Sequence, residues 1–91
     1  MKTKKVEIKV EQGIHARRAA YITKISNRYN CSIYFRRNDL QVNAKSIIGI
    51  MMLALAKACI VEVTTDGVDE EIALEEISQI LVSNFPNEEM L

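Results

Sequence analysis

The sequence predicts an α+β domain: one four-stranded antiparallel sheet covered on one face by three helices, in the order β-α-β-β-α-β-α. Three observations carry this. Short stretches with every second residue apolar alternate with stretches whose apolar residues recur at helical spacing. Asn38-Asp39 is a turn pair between two of the strand stretches, which makes a hairpin in the middle of the chain. The 91 residues, 48% of them hydrophobic with one proline and three glycines, allow one small, regularly folded domain with a modest core. With so few strands, a single sheet with helices on one face is the economical way to bury the apolar sides. The chain 1–91 is read as that one domain, with 87–91 a frayed tail.

Lys5-Val6-Glu7-Ile8-Lys9-Val10 alternates charged and apolar residues, the mark of a strand with one wet face. After the break at Gln12-Gly13 a helix is expected over 16–28. Ala19, Ile22, Ile25, Ser26 and Tyr29 share its inner face, and Asn30 supplies a stop. Residues 31–37 read as the second strand, with Ile33 and Phe35 on one side, and Leu40-Gln41-Val42 returns as the third. Ser46 is a good N-cap for a helix over 46–57. Residues 60–64 form the fourth strand. The last helix starts near Asp69, with Asp69, Glu70 and Glu71 in its first turn, where negative charge is favourable. Ile72, Leu74, Ile77, Ile80 and Leu81 are expected to be its buried stripe, and Pro86 lies beyond its end.

Net charge is zero, which hides an asymmetry. Residues 1–57 carry all 12 Lys and Arg against three acids, a charge of +9, and residues 58–91 carry the other nine acids and no base. Two arrangements follow: solvated faces that neutralise each other in the fold, or a basic docking face that steers acidic partners. The longest apolar run free of charge, residues 46–56, is too short for the ~18–20 residues that span a bilayer, so no membrane insertion is expected. Met1-Lys2-Thr3-Lys4-Lys5 passes straight into the first strand and is not a signal peptide. Cys31 and Cys59 are therefore expected to be reduced, and the protein cytoplasmic. His15 and the two cysteines lack metal-ligand spacing, so no metal is expected. There is no Gly-rich nucleotide loop, Ser-His-Asp order or carboxylate pair for hydrolysis. Arg17-Arg18 and Arg36-Arg37 are basic pairs, but the near-neutral pI of 6.6 and the absence of a nucleic-acid module argue against nucleic-acid binding.

The functional candidate is Gly13-Ile14-His15-Ala16-Arg17-Arg18-Ala19-Ala20, which holds the only histidine. With the helix starting at Ala16, His15 falls at the N-cap, beside amides that have no partner inside the helix. Those amides and the positive end of the helix dipole suit an anion. Arg17 and Arg18 lie within one turn, so the site looks built for a phosphoryl group, and a neutral imidazole is a nucleophile that can carry one.

Three blocks in register carry a resemblance to a known family: Gly13-Ile14-His15-Ala16-Arg17, then Asn43-Ala44-Lys45-Ser46-Ile47-Ile48-Gly49-Ile50-Met51, then Asp66-Gly67-Val68-Asp69-Glu70. From about Val6 to Leu81 the chain resembles HPr, the histidine-containing phosphocarrier of the phosphoenolpyruvate-dependent sugar phosphotransferase system. The resemblance implies an open-faced β-sandwich of four strands and three helices. It also implies a carrier that works only with partner enzymes and has no cofactor of its own. His15 would accept phosphate from enzyme I and pass it to enzyme IIA domains, with Arg17 contacting the phosphoryl group. Ser46 matches the serine that a dedicated kinase phosphorylates in HPr of Gram-positive type, which brings in a serine kinase/phosphorylase and a transcriptional regulator as partners. Ala16, Ala20, Ile47, Ile48 and Met51 match positions that meet partner proteins. A helix apolar on every side, as residues 47–55 are, cannot bury all of them in so small a domain. The chain is expected to be a monomer.

The departures from the family mark a divergent member. Arg18 stands where proline is usual, adding a donor and a charge beside the phosphoryl site. Ala54 and Ala58 replace frequent glycines, and Ala58 falls at a C-cap position that favours positive φ. They favour a second reading: a regulatory binding module acting through Ser46 and docking to a regulator, with little or no role in sugar transport. Retention of His15 favours the carrier.

Overall fold

A computed structural model describes residues 1–83. Seven elements follow in the expected order: β1 (Lys2–Glu7), α1 (Ala16–Ser26), β2 (Ser32–Arg37), β3 (Leu40–Asn43), α2 (Ile47–Met52), β4 (Ile60–Asp66) and α3 (Glu70–Val82). The strands form one antiparallel sheet in the order β1-β4-β2-β3, so β4, last in sequence, sits between β1 and β2. Alternation along each strand decides the faces. Ile33 and Phe35 on β2 and Val61, Val63 and Thr65 on β4 are buried, and the residues between them point to the open side. There Lys5, Glu62, Arg36 and Gln41 fall in one row across the four strands.

The helices cover the other face. α3 packs across β1 and β4, α1 packs on α2 and α3, and α2 lies beside β3. Phe35, Ile8, Ile22, Ile33, Ile50, Ile77 and Leu81 are the largest wholly buried side chains, and they join sheet and helices in one core. The expected open-faced sandwich is therefore present.

The structure corrects several boundaries. β1 is Lys2–Glu7, not 5–10, because its partner runs out: Glu7 pairs with Ile60, the first residue of β4. Ile8 and Val10 remain buried in the extended chain beyond. α1 ends at Ser26, where the Asn27 side chain turns back to Thr23 O at 2.8 Å. α2 ends at Met52, not near residue 57, because Ala54 adopts φ 50° and leaves the right-handed helix. On α3, Ala73, Ile77, Ile80 and Leu81 form the buried stripe, whereas Ile72 is 67% exposed and Leu74 only half-buried. The helix turns so that small Ala73 meets the core and Ile72 falls outside it. Pro86 and the segment 87–91 lie outside the described residues.

Part of the charge asymmetry is neutralised locally. The ammonium of Met1 meets Glu70 at 3.1 Å and Lys2 meets Glu71 at 3.5 Å, both acids being in the first turn of α3. That turn is at the far end of the helical layer from His15, because Asp69 binds the amides of Asn30 and Cys31, beyond the C-terminus of α1.

Candidate functional site

His15 is the N-cap of α1, in an extended conformation (φ −94°, ψ −176°), and its carbonyl accepts the first helical bond, from Ala19 N at 2.8 Å. Its side chain makes no capping bond and is exposed, so the imidazole stands clear of the helix beside the first-turn amides. The loop before it is tied down by backbone hydrogen bonds. Gly13 N donates to Val10 O (3.0 Å), Ile14 N donates to Leu55 O (2.8 Å), and Gly13 itself sits at φ 73°. Across this seam Lys57 Nζ holds both carboxylate oxygens of Glu11, at 2.6 and 2.9 Å.

The two arginines part company. Arg17 is exposed on the first turn, with no hydrogen bond or ion pair among the described residues, and can meet an anion held at His15. Arg18 is only 6% exposed, and its Nη1 donates to Ser83 O at 3.3 Å, just past the end of α3. Burial pulls its guanidinium below the ordinary arginine value. Arg18 is thus turned inward toward the end of α3, unlike Arg17. Positions 18, 22 and 25 share the inner stripe of α1, so the side chain is carried to the α3 side.

Ser46 caps α2 as expected: its Oγ accepts Gly49 N–H at 3.1 Å, and the residue is half-exposed. Asn27, just after α1, donates to Lys45 O at 3.3 Å, so α2 begins beside the end of α1. With 11 residues in α1, Ser46 and His15 are separated by about 16 Å along its axis. Between them Ala16 and Ala20 are exposed on α1, and Ile47, Ile48, Met51 and Met52 are 43, 74, 40 and 61% exposed on α2. Ile50, Leu53 and Leu55 supply the buried side of that segment. Four large apolar side chains exposed together on one short helix are uncommon on a domain surface.

Sequence reasoning missed Arg37. Its Nη1 donates to Leu53 O (2.9 Å) and Ala54 O (2.8 Å) at the end of α2. In the sequence it is one of a basic pair in a strand, and only the folded hairpin brings it there.

Fold and site together define a class: a small open-faced sandwich that presents a histidine at a helix N-terminus beside an apolar helix face. The family described as PTS HPr component, phosphorylation site, matches residues 2–83. The phosphocarrier protein HPr of Neisseria meningitidis serogroup B is 36% identical over 80 residues, 88% of this chain and 90% of the relative. The crystal structure of HPr from Bacillus anthracis superposes with a TM-score of 0.85 at 36% identity, covering 88% of this chain and 95% of that one. The Bacillus subtilis catabolite-repression protein Crh, solved as a domain-swapped dimer, superposes with a TM-score of 0.72 at 34% identity, over 89% of this chain and 93% of that one. The chain belongs to the HPr family. That a relative forms a dimer does not match the expectation of a monomer. No helix among the described residues is long and apolar enough to cross a membrane.

Proposed function

We propose that the chain is a phosphocarrier that accepts a phosphoryl group from enzyme I on His15 and passes it to enzyme IIA domains in the cytoplasm. The observation that carries this reading is the free, exposed imidazole at the N-cap of α1. An imidazole nitrogen attacks phosphorus, the N–P bond forms as the donor's bond breaks, and the donor keeps that electron pair. In the second transfer His15 is the leaving group. The first-turn amides and Arg17 stabilise the phosphoryl oxygens, and the loop fixed to Leu55 holds the nucleophile in place. The exposed face of α2, with Ala16 and Ala20, docks the partners.

The test is incubation with enzyme I, magnesium and phosphoenolpyruvate, followed by intact mass. The expected result is one added phosphate, stable at neutral pH, lost in acid and absent from His15→Ala. No phosphate, with an enzyme I that charges an ordinary HPr, would overturn the reading.

Ser46 supports a second, regulatory reading, favoured by its half-exposed hydroxyl beside Ile47 and Ile48 and by relatives named HPr-like protein Crh. A kinase would add a phosphate of about −1.5 to −2 charge at the start of α2, where it is tolerated. The added charge would change which regulator docks there. His15→Ala leaves such an interaction intact, and Ser46→Ala abolishes it.

A further inference from the structure

We propose that Arg37 is a positioning residue for His15, acting through the turn that follows α2. The inference rests on the phosphocarrier reading and adds a part to it. Arg37 ends β2, and its hydrogen bonds go to α2: one nitrogen, Nη1, spends its two N–H groups on successive carbonyls, Leu53 O at 2.9 Å and Ala54 O at 2.8 Å. Carbonyls at the end of a helix have no donor inside it. Ala54 also sits at φ 50°, which an alanine adopts only at a cost, so this turn needs support from outside. Charge-assisted bonds from a guanidinium supply it.

The next carbonyl in the chain, Leu55 O, accepts Ile14 N–H at 2.8 Å and bears directly on Gly13. Ile14 is 5% exposed and anchored in the core, and His15 follows it. The path is thus guanidinium, carbonyls 53 and 54, carbonyl 55, amide 14, then the N-cap histidine. Each link is a hydrogen bond or one residue of backbone. Loosening the turn at 53–55 lets the 13–15 loop drift, and a misplaced nucleophile slows transfer without changing the docking face. Lysine, a single ammonium on a flexible stem, replaces this two-point hold only in part.

The experiment compares Arg37→Ala and Arg37→Lys with the unaltered chain and with Tyr29→Phe. The last removes the hydroxyl bonded to Glu76 at the opposite end of the helical layer. Two quantities are read: hydrogen exchange at the Ile14 amide, and kcat and KM of enzyme I with the chain as acceptor. Arg37→Ala is expected to speed Ile14 exchange by about tenfold, because two charged bonds are lost. It should also lower kcat by about five- to tenfold with KM nearly unchanged. Arg37→Lys should recover part of both, and Tyr29→Phe should lower the melting temperature with neither change. Should Arg37→Ala fail to fold, Arg37→Lys alone carries the same reading with smaller effects.

Unchanged Ile14 exchange, or faster exchange with normal kcat, overturns the proposal. So does a loss of kcat in Tyr29→Phe equal to that in Arg37→Ala, which would trace the effect to global stability. If the unaltered chain takes no phosphoryl group, the phosphocarrier reading falls and takes the positional role with it. Normal transfer by the unaltered chain and by Arg37→Ala removes Arg37 alone.

Discussion

Gly13 faces the carbonyl oxygen of Leu55 with no room for a side chain between them: a Cβ on Gly13 would stand 2.7 Å from that oxygen and 3.0 Å from Ala56 Cα. At φ 73° the residue is also in a region that side chains disfavour. Two blocks far apart in sequence, the histidine motif and the end of the apolar helix segment, thus meet backbone to backbone.

Gly13→Ala therefore combines a strained φ with a contact that must open. It is expected to cost about 1–3 kcal/mol of stability and to slow phosphorylation of His15 more than stability alone explains. Urea unfolding and initial rates with enzyme I check the two parts. Normal transfer in a folded Gly13→Ala would show that the seam does not position the histidine.

Ala54 and Ala58 take φ 50° and 75°, the left-handed conformation that glycine adopts freely. Ala58 holds it while its amide donates to Ile8 O at 2.8 Å, so the strain is retained for a bond that ties this turn to the chain after β1. Ala54→Gly and Ala58→Gly are each expected to raise stability by about 0.5–1 kcal/mol, the relief of strain outweighing the added freedom of the unfolded chain. A higher urea midpoint with unchanged slope is the result to look for.

What was legible in the sequence was what is decided locally. His15 and Ser46 are caps, and a cap depends on a few neighbouring residues. The strands declare themselves by alternation, and the exposed face of α2 by having more apolar residues than one side can bury. The end of α2 was not legible. Residues 53–57 are helix-forming by composition, and the helix stops there because Ala54 is left-handed and Arg37, 16 residues earlier, binds the carbonyl of Leu53. Arg18 illustrates the other limit. Helical spacing alone puts it with Ile22 and Ile25, but its charge argues for the surface, and only the end of α3 shows where the guanidinium finds a carbonyl.

The neighbouring arginines are expected to separate function from stability. Arg17→Ala should leave unfolding nearly unchanged and slow phosphoryl transfer, the loss being greatest at low ionic strength, where the exposed guanidinium is least screened. Arg18→Ala should do the reverse. Removing its packing and its bond to Ser83 O is expected to cost about 1–3 kcal/mol, with transfer rates close to those of the unaltered chain. Parallel measurement of melting temperature and enzyme I kinetics on both variants decides the matter. A transfer defect confined to Arg18→Ala would reverse the assignment.

Four groups at the far end of the molecule are held away from their ordinary titration ranges. Asp69 accepts from Asn30 N and Cys31 N, both at 2.9 Å, and these bonds hold its carboxyl below the ordinary value of 3.8. Glu70, bonded to Gly67 N and the ammonium of Met1, is lowered as well. Both contributions are fully present above the ordinary carboxylate range and are lost as pH falls through the lower folded values. On the alkaline side the sign is opposite. Burial and the contact with Asp69 push the Cys31 thiol up to about 11, and the bond to Glu76 pushes Tyr29 up to about 12. The neutral forms are favoured in the folded state, so their contribution is present below the ordinary values of 9.0 and 10.0 and disappears as pH rises through the folded ones. Stability is thus expected to be level between about pH 5 and pH 9 and to fall on both sides. Asp69→Asn should lower the plateau, make the acid limb shallower and also weaken the alkaline limb, because Asp69 helps to hold the Cys31 thiol up, whereas Tyr29→Phe should make the alkaline limb shallower and leave the acid limb unchanged. Urea midpoints across pH test both, and an acid limb in Asp69→Asn as steep as in the unaltered chain would show that other carboxylates govern it.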